Sequence, residues 1–327
     1  MTNPSSLPPE WAPQRALWVG WPRLDHEWSG GMEAARDEIA AFVRAASRFV
    51  PVRLAAGDEA AAAAAHKRGL DTVCEVVRIP TGDIWLRDTG PLLTEDGRAL
   101  CFAFNGWGGK YDMEGDAETA SAIARAEGSL AEAFGFVLEG GSLDFDGEGR
   151  LLTTRQCLLN PNRNGEVTEG EVETLLKDAL GGTEVIWLGR GLHGDHTDGH
   201  VDNLARFTGP GRAVCQAPYG DDDPHADVLA EAERDLRAAG LDVATIPSPG
   251  RILDADGEVL PASHMNFTIT NGAVLLPIYD EASGAAAREA LAPLFPGREV
   301  VALPARAILE GGGGAFHCMT REVPGAA

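Results

Sequence analysis

Glu95-Asp96-Gly97-Arg98-Ala99-Leu100-Cys101-Phe102-Ala103-Phe104 reads as a tight turn running into an apolar strand. Asp-Gly favours a hairpin because glycine reaches positive φ at no Cβ cost. The same form returns at Gly147-Glu148-Gly149-Arg150, at Gly209-Pro210-Gly211-Arg212 and at Thr270-Asn271-Gly272-Ala273, each followed by an apolar strand (151–154, 213–216 and 273–278). The turn glycines lie 52, 62 and 61 residues apart. Behind each hairpin the apolar spacing predicts an amphipathic helix (about 116–133, 168–180, 222–240 and 283–294). A short strand then follows, around 136–138, 184–188, 242–247 and 298–303.

A hairpin, helix and strand repeating every 50–60 residues predicts blades around an axis. The expected architecture is a five-bladed, pseudo-symmetric α/β propeller forming a single domain over residues 1–327. Its fifth blade combines the N-terminal strand (16–22), helices near 32–49 and 57–69, a strand at 52–55, and the C-terminal segment 306–320. Closing the ring would remove exposed sheet edges. Asp88 and Asp202 each lie nine residues before their turn glycine and Glu139 ten before, so polar residues recur at one end of successive blades.

Composition narrows the function classes. The 327 residues carry a net charge of −23, which opposes nucleic acid and anionic membrane surfaces and suits a cationic small molecule. Five cysteines (Cys74, Cys101, Cys157, Cys215, Cys318) without a Cys-x-x-Cys pair point to reduced thiols in a cytoplasmic protein. The leader containing Pro4, Pro8, Pro9 and Glu10 has no apolar signal core and reads as loose, and no apolar run reaches membrane-spanning length.

His193-Gly194-Asp195-His196-Thr197-Asp198-Gly199-His200-Val201-Asp202-Asn203 holds the densest chemistry. Read as the start of a strand, it projects His200 and Asp202 to one face, a proton carrier beside a carboxylate. Read as a metal site, it offers His193, Asp195, His196, Asp198, His200 and Asp202, although Thr197 and Gly199 spoil the helix that a zinc signature needs. A solvated loop is the third reading. Asp88, in Arg87-Asp88-Thr89-Gly90-Pro91 at a polar strand end, is either a turn cap or a site residue. Glu139-Gly140-Gly141 marks either close backbone approach to a ligand or a bulge.

The C-terminus places Glu310 and four glycines (Gly311–Gly314) before Ala315-Phe316-His317-Cys318. Such a run costs backbone entropy, so the loop needs unusual φ or a close approach, and Cys318 is a candidate nucleophile. On a strand His317 would face away from Cys318, leaving His200 as its partner. The other cysteines read as core residues. Together these groups suit attack on a guanidinium: Asp88 and Asp202 grip the planar cation, Cys318 attacks its carbon, and His200 protonates the leaving nitrogen and then activates water. The cation itself favours the thiolate, so the chemistry requires no metal.

The chain resembles the agmatine deiminase family, relatives of bacterial peptidyl-arginine deiminases. The resemblance rests on the segments 18–22, 83–91, 104–111, 139–142, 157–164, 199–203, 261–267 and 312–318, in that order. It implies the pentein fold, Cys318 as nucleophile, the pair His200 and Asp202, guanidinium contacts from Asp88 and Glu139, and Trp85 lining the pocket. It also implies no metal or organic cofactor, a small guanidine as substrate, and a homo-oligomer. Three positions depart from the pattern: Ala315 where Asn is frequent, His264 where Tyr is frequent, and His196 where an acid is usual. They bear on the far end of the substrate, which distinguishes agmatine from arginine, peptidyl arginine or another guanidine. Two further readings are a metal-dependent hydrolase built on His193, Asp195, His196 and His200, and a non-catalytic binder of polyamines or arginine.

Overall fold

The computed structural model describes residues 7–28 and 31–325, carried on five small sheets. In the first, β1 (Gln14–Trp21), β2 (Val52–Ala56) and β3 (Glu75–Arg78) run parallel. In the second, β4 (Leu92–Leu93) pairs antiparallel with β5 (Arg98–Ala103), which pairs parallel with β6 (Leu130–Val137). The same connection builds β7 (Asp144–Phe145), β8 (Arg150–Thr154) and β9 (Glu184–Leu188). It recurs in β10 (Ala205–Gly209), β11 (Arg212–Ala217) and β12 (Asp242–Pro247), and in β13 (Thr268–Ile269), β14 (Ala273–Ile278) and β15 (Glu299–Pro304). Finally β16 (Thr320–Pro324) returns to pair antiparallel with β1, so both ends of the chain share one sheet. This is the five-bladed α/β arrangement expected from the repeat. Each parallel pair needs a crossover, and the helices supply it.

The helices form for local reasons. Thr168 and Glu171 make a reciprocal capping box at the start of Glu169–Leu180, and Gly181 ends that helix at φ 75°. Val172, Leu176 and Leu180, four residues apart, are its buried stripe against the β7–β9 sheet. Burying each such side chain is worth about 1.5–3 kcal/mol. Buried apolar residues gather into five clusters rather than one core, matching a ring of small sheets.

Several expectations shift at their ends. The helix expected over 116–133 stops at Glu127, where Gly128 turns left-handed at φ 66°, and Leu130–Val137 is strand. The polar strand end at 83–91 is a short helix, Leu86–Thr89. The fifth blade closes through Thr320–Pro324; most of 306–320 is a helix (Arg306–Gly312) and a turn. Gly272 is absent from the positive-φ glycines; it is small because a Cβ there would lie 2.8 Å from the Phe49 ring. Residues 1–6 of the leader, Pro4 included, lie outside the described residues, but the rest of it is held down. Glu10 is buried, pairs with Arg206 and accepts from Ile269 N at 2.8 Å.

Candidate active site

Each blade delivers one polar segment immediately before its inner antiparallel strand: Asp88 before β4, Glu139 before β7, His200 and Asp202 before β10, Asn266 before β13, and Cys318 before β16. Short inner strands leave these segments as turns, which aim their side chains inward. A cavity of about 430 Å³ opens onto them, lined by Trp85, Asp88, Trp107, Tyr111, His196, the glycines 311–314 and Cys318.

Cys318 and Asp88 are coupled through the backbone, because Arg87 N donates to Cys318 O at 2.9 Å. Asp88 is fixed on both oxygens: Trp107 Nε1 donates to Oδ2 at 2.9 Å and Gly141 N to Oδ1 at 2.9 Å. Trp107 holds a left-handed backbone (φ 53°, ψ 50°), rare for a bulky residue, and that strained turn points its indole at Asp88. Trp85 donates to Asp83 Oδ2 at 2.7 Å and stacks on Trp28 at 6.4 Å. A Cβ on Gly312 or Gly314 would lie 2.2 or 2.6 Å from the Trp85 ring. Close approach to this wall, rather than unusual φ, therefore accounts for much of the glycine run; only Gly313 has positive φ there.

Behind the cavity wall lie three fully buried groups: His200, Asp202 and Glu139. His200 Nδ1 stands 3.7 Å from Asp88 Oδ1, and its Nε2 stands 3.9 Å from Glu139 Oε2. Asp202 Oδ2 lies 3.6 Å from Cys318 Sγ and accepts from His317 Nδ1 at 2.7 Å. His200 and Asp202 do converge, but not by strand alternation: Val201–Asn203 is a 3-10 turn and the strand begins at Ala205. His317 likewise escapes the strand rule, because residues 317–319 form a turn ahead of β16, and it contacts the site through Asp202. Glu139 and Asp202, expected against the guanidinium, do not line the cavity. Glu139 instead pairs with the buried Arg163 at 2.7 Å and faces His200.

Electrostatics set the protonation states. Burial opposes charge on His200, yet Asp88, Cys157 and Glu139 hold it well above its ordinary value, as imidazolium near neutrality. Burial, then Asp202 and Asp88, push the Cys318 thiol well above its usual range. Glu139 stays below the usual carboxylate range because His200 and Arg163 outweigh its burial. A cation placed against Asp88 would neutralise the charge that opposes the thiolate.

Gly141 sits where these groups meet. A Cβ there would fall 2.6 Å from His200 Nδ1, 2.9 Å from Asp88 Oδ1 and 3.0 Å from Asp202 Oδ2. Gly141→Ala is therefore expected to lower kcat roughly hundredfold while circular dichroism stays native, since displacement of reacting groups by about 1 Å has effects of that order. Wild-type turnover in that variant would contradict the convergence described.

The six-residue metal set of 193–202 is not assembled. His193 faces Asp227 at 3.2 Å, Asp195 accepts from Thr197, His196 meets the Tyr111 hydroxyl at 2.9 Å, and Asp198 binds Lys110 and Arg163. Among the described residues, Glu139, Cys157 and His200 do bring ligand atoms within 4.8 Å of one another, with the Arg163 cation already on Glu139. Cys157, read as a core residue, is buried as expected but borders His200. Sequence reasoning gave no role to Trp107, Arg163, His317 or Asn266. Trp107, Arg163 and Asn266 stand inside quoted motifs, but nothing in their local pattern says what they touch.

Five small blades closing around a buried thiol, imidazole and carboxylate cluster define the pentein class of α/β propeller. The chain belongs to the Porphyromonas-type peptidyl-arginine deiminase family, which matches residues 6–324. It is 35% identical to an agmatine deiminase of Pseudomonas aeruginosa over 99% of both chains, and 36% identical to one from Stutzerimonas stutzeri over 97% of this chain and 95% of that one. Among solved structures it is similar to the agmatine deiminase of Enterococcus faecalis (TM-score 0.92, 27% identity, 100% and 99% of the two chains covered). It is also similar to an agmatine deiminase from C. jejuni with substrate bound (TM-score 0.90, 30% identity, 98% and 96% covered).

Proposed function

We propose that the protein is a guanidine deiminase whose substrate is agmatine, converted with water to N-carbamoylputrescine and ammonia. The observation that carries this is the cavity itself: Cys318 and Asp88 share one wall, two indoles flank them, and His200 lies directly behind. The flat cation sits between Trp85 and Trp107 with nitrogens on Asp88. Its charge favours loss of the Cys318 proton to solvent water, and the thiolate adds to the guanidinium carbon. His200 imidazolium gives its proton to one nitrogen, and ammonia leaves an amidino-thioether. Neutral His200 then takes a proton from water, the hydroxide adds, the C–S bond breaks, and a urea departs. Glu139 faces His200 and supports its charged form, while Asp202 orients the sulfur side of the site. No step needs a metal ion.

The charge of the cavity lining supports agmatine over arginine. Asp83, Asp254, Glu258 and Glu310 are among the residues that line the cavity, with His196, and that lining contains no Lys or Arg. A substrate ending in ammonium suits that field, whereas an α-carboxylate is repelled. Cytoplasmic location, a homo-oligomeric state and a place in making putrescine belong to the same proposal. No helix is long and apolar enough to cross a membrane among the described residues.

The test is ammonia release from agmatine, arginine, a peptidyl arginine and guanidinobutyrate, with and without chelator. Agmatine is expected to lead arginine by roughly a hundredfold in kcat/KM, on the order of 3 kcal/mol of discrimination, unaffected by chelator. Equal turnover of arginine would refute the agmatine assignment, and loss of activity in chelator would restore the metal-hydrolase reading.

A further inference from the structure

We propose that Glu139, Cys157 and His200 form an inhibitory site for a thiophilic divalent cation such as zinc, which holds His200 as a metal ligand and stops turnover. The binding stands on its own; the inhibition rests on the deiminase reading of His200. All three residues are fully buried, and one ligand atom of each lies within 4.8 Å of the other two. Atoms so spaced lie within about 2.8 Å of a common point, and zinc takes thiolate at about 2.3 Å and imidazole or carboxylate at about 2.0–2.2 Å. Side-chain shifts of less than about 1 Å therefore close the trio on an ion.

The ligand atoms are available. Glu139 Oε1 is taken by Arg163 at 2.7 Å, but Oε2, 3.9 Å from His200 Nε2, has no hydrogen-bond partner among the described residues. Neither ring nitrogen of His200 has one either, although buried polar atoms are normally paired. With Nε2 on the metal, Nδ1 faces Asp88 Oδ1 at 3.7 Å, the carboxylate–histidine–metal order that orients a ligating imidazole. Cys157 supplies the soft sulfur that selects zinc over magnesium or calcium. Charge also balances. Near neutrality the group consists of the Glu139 carboxylate, the Arg163 guanidinium, the His200 imidazolium and the Cys157 thiol. A divalent ion displaces one proton from the imidazolium and one from the thiol, both to solvent, so the buried net charge is unchanged. Once a metal occupies Nε2, His200 is no longer the imidazolium that the leaving nitrogen needs.

The test uses the full chain, stripped of metal by chelator and buffer exchange, and titrates it with cobalt(II), whose bond to a thiolate gives a near-ultraviolet charge-transfer band. Wild type is expected to develop that band with one equivalent bound. Cys318→Ser should keep it and Cys157→Ser should lose it, each checked for a native melting temperature. His200→Gln should weaken or lose it as well, and decides the matter if Cys157→Ser folds poorly. Micromolar zinc is expected to lower ammonia release by about tenfold or more, as mass action gives well above Kd, and chelator should restore it. In Cys157→Ser that inhibition, measured against the variant's own rate, should disappear. A band that is absent from wild type, that vanishes with Cys318, or that survives intact in a folded Cys157→Ser or His200→Gln overturns the site. Because the band is read without substrate, it tests the site even if no guanidine is turned over, while a band without inhibition of a working enzyme overturns the inhibitory role.

Discussion

Cys318→Ser is expected to reduce ammonia release from agmatine by at least about four orders of magnitude, the scale seen when a covalent nucleophile is removed. The hydroxyl is nearly isosteric, so the cavity and the fold should persist, and agmatine should still raise the melting temperature. The loss has a chemical origin. A serine alkoxide at this position would face the same burial and the same two carboxylates that already push the thiol well above its usual range. Its intrinsic pKa lies far higher still, and no neutral base touches it, since His200 is held as imidazolium. Binding without turnover would separate a lost nucleophile from a damaged pocket. Activity above about 1% of wild type would end the covalent route, and with it the role assigned to the Asp88-bound cation in favouring the thiolate.

Arg206→Met is expected to cost about 3–5 kcal/mol of stability, the range for breaking a buried charge network from one side. Arg206 is 1% exposed, pairs with Glu10 and with Asp144 at 3.3 Å, and donates to Phe267 O at 2.9 Å. Removing it strands two buried carboxylates. The deficit should depend on pH with a definite sign. Burial already lifts Asp144 to about 6, with Arg206 as the main opposing influence. Without Arg206 the Asp144 carboxyl rises further. A carboxylate whose folded pKa exceeds its unfolded value near 3.9 costs stability as pH rises through the folded value, so the variant should lie closer to wild type at pH 5 than at pH 8. Urea titrations at the two pH values measure this. A pH-independent gap would mean that the charges are not the cause. Loss of Glu10 acts on the same network, which makes the leader a structural element whose partner, His317, leads to Asp202.

The repeat of turn, strand and helix was readable because each blade is built from local signals. Gly97 and Gly211 take the positive φ that their turns require, and Val172, Leu176 and Leu180 recur at helical spacing. The boundary near 128–137 was harder, since Ala-rich helix runs into a strand whose residues are largely exposed and carry no alternation. Motif resemblance identified Cys318, His200, Asp202, Asp88, Glu139 and Trp85, and all six lie at or directly behind one cavity.

By itself, then, the sequence determined the five-fold repeat, the family and the residue types that do chemistry, because turn geometry, hydrophobic period and motif order are properties of neighbours along the chain. Tertiary structure alone decided how those groups are used. Glu139 faces His200 rather than the cavity, Asp202 is held by His317, the 193–198 polar run disperses to the surface, and Asn266 grips the sulfur. The Glu139–His200, Asp202–His317 and Asn266–Cys318 pairings join residues 52 to 115 positions apart. Which of two polar faces a turn residue presents, and to what, is fixed only when five blades close and exclude water from their common centre.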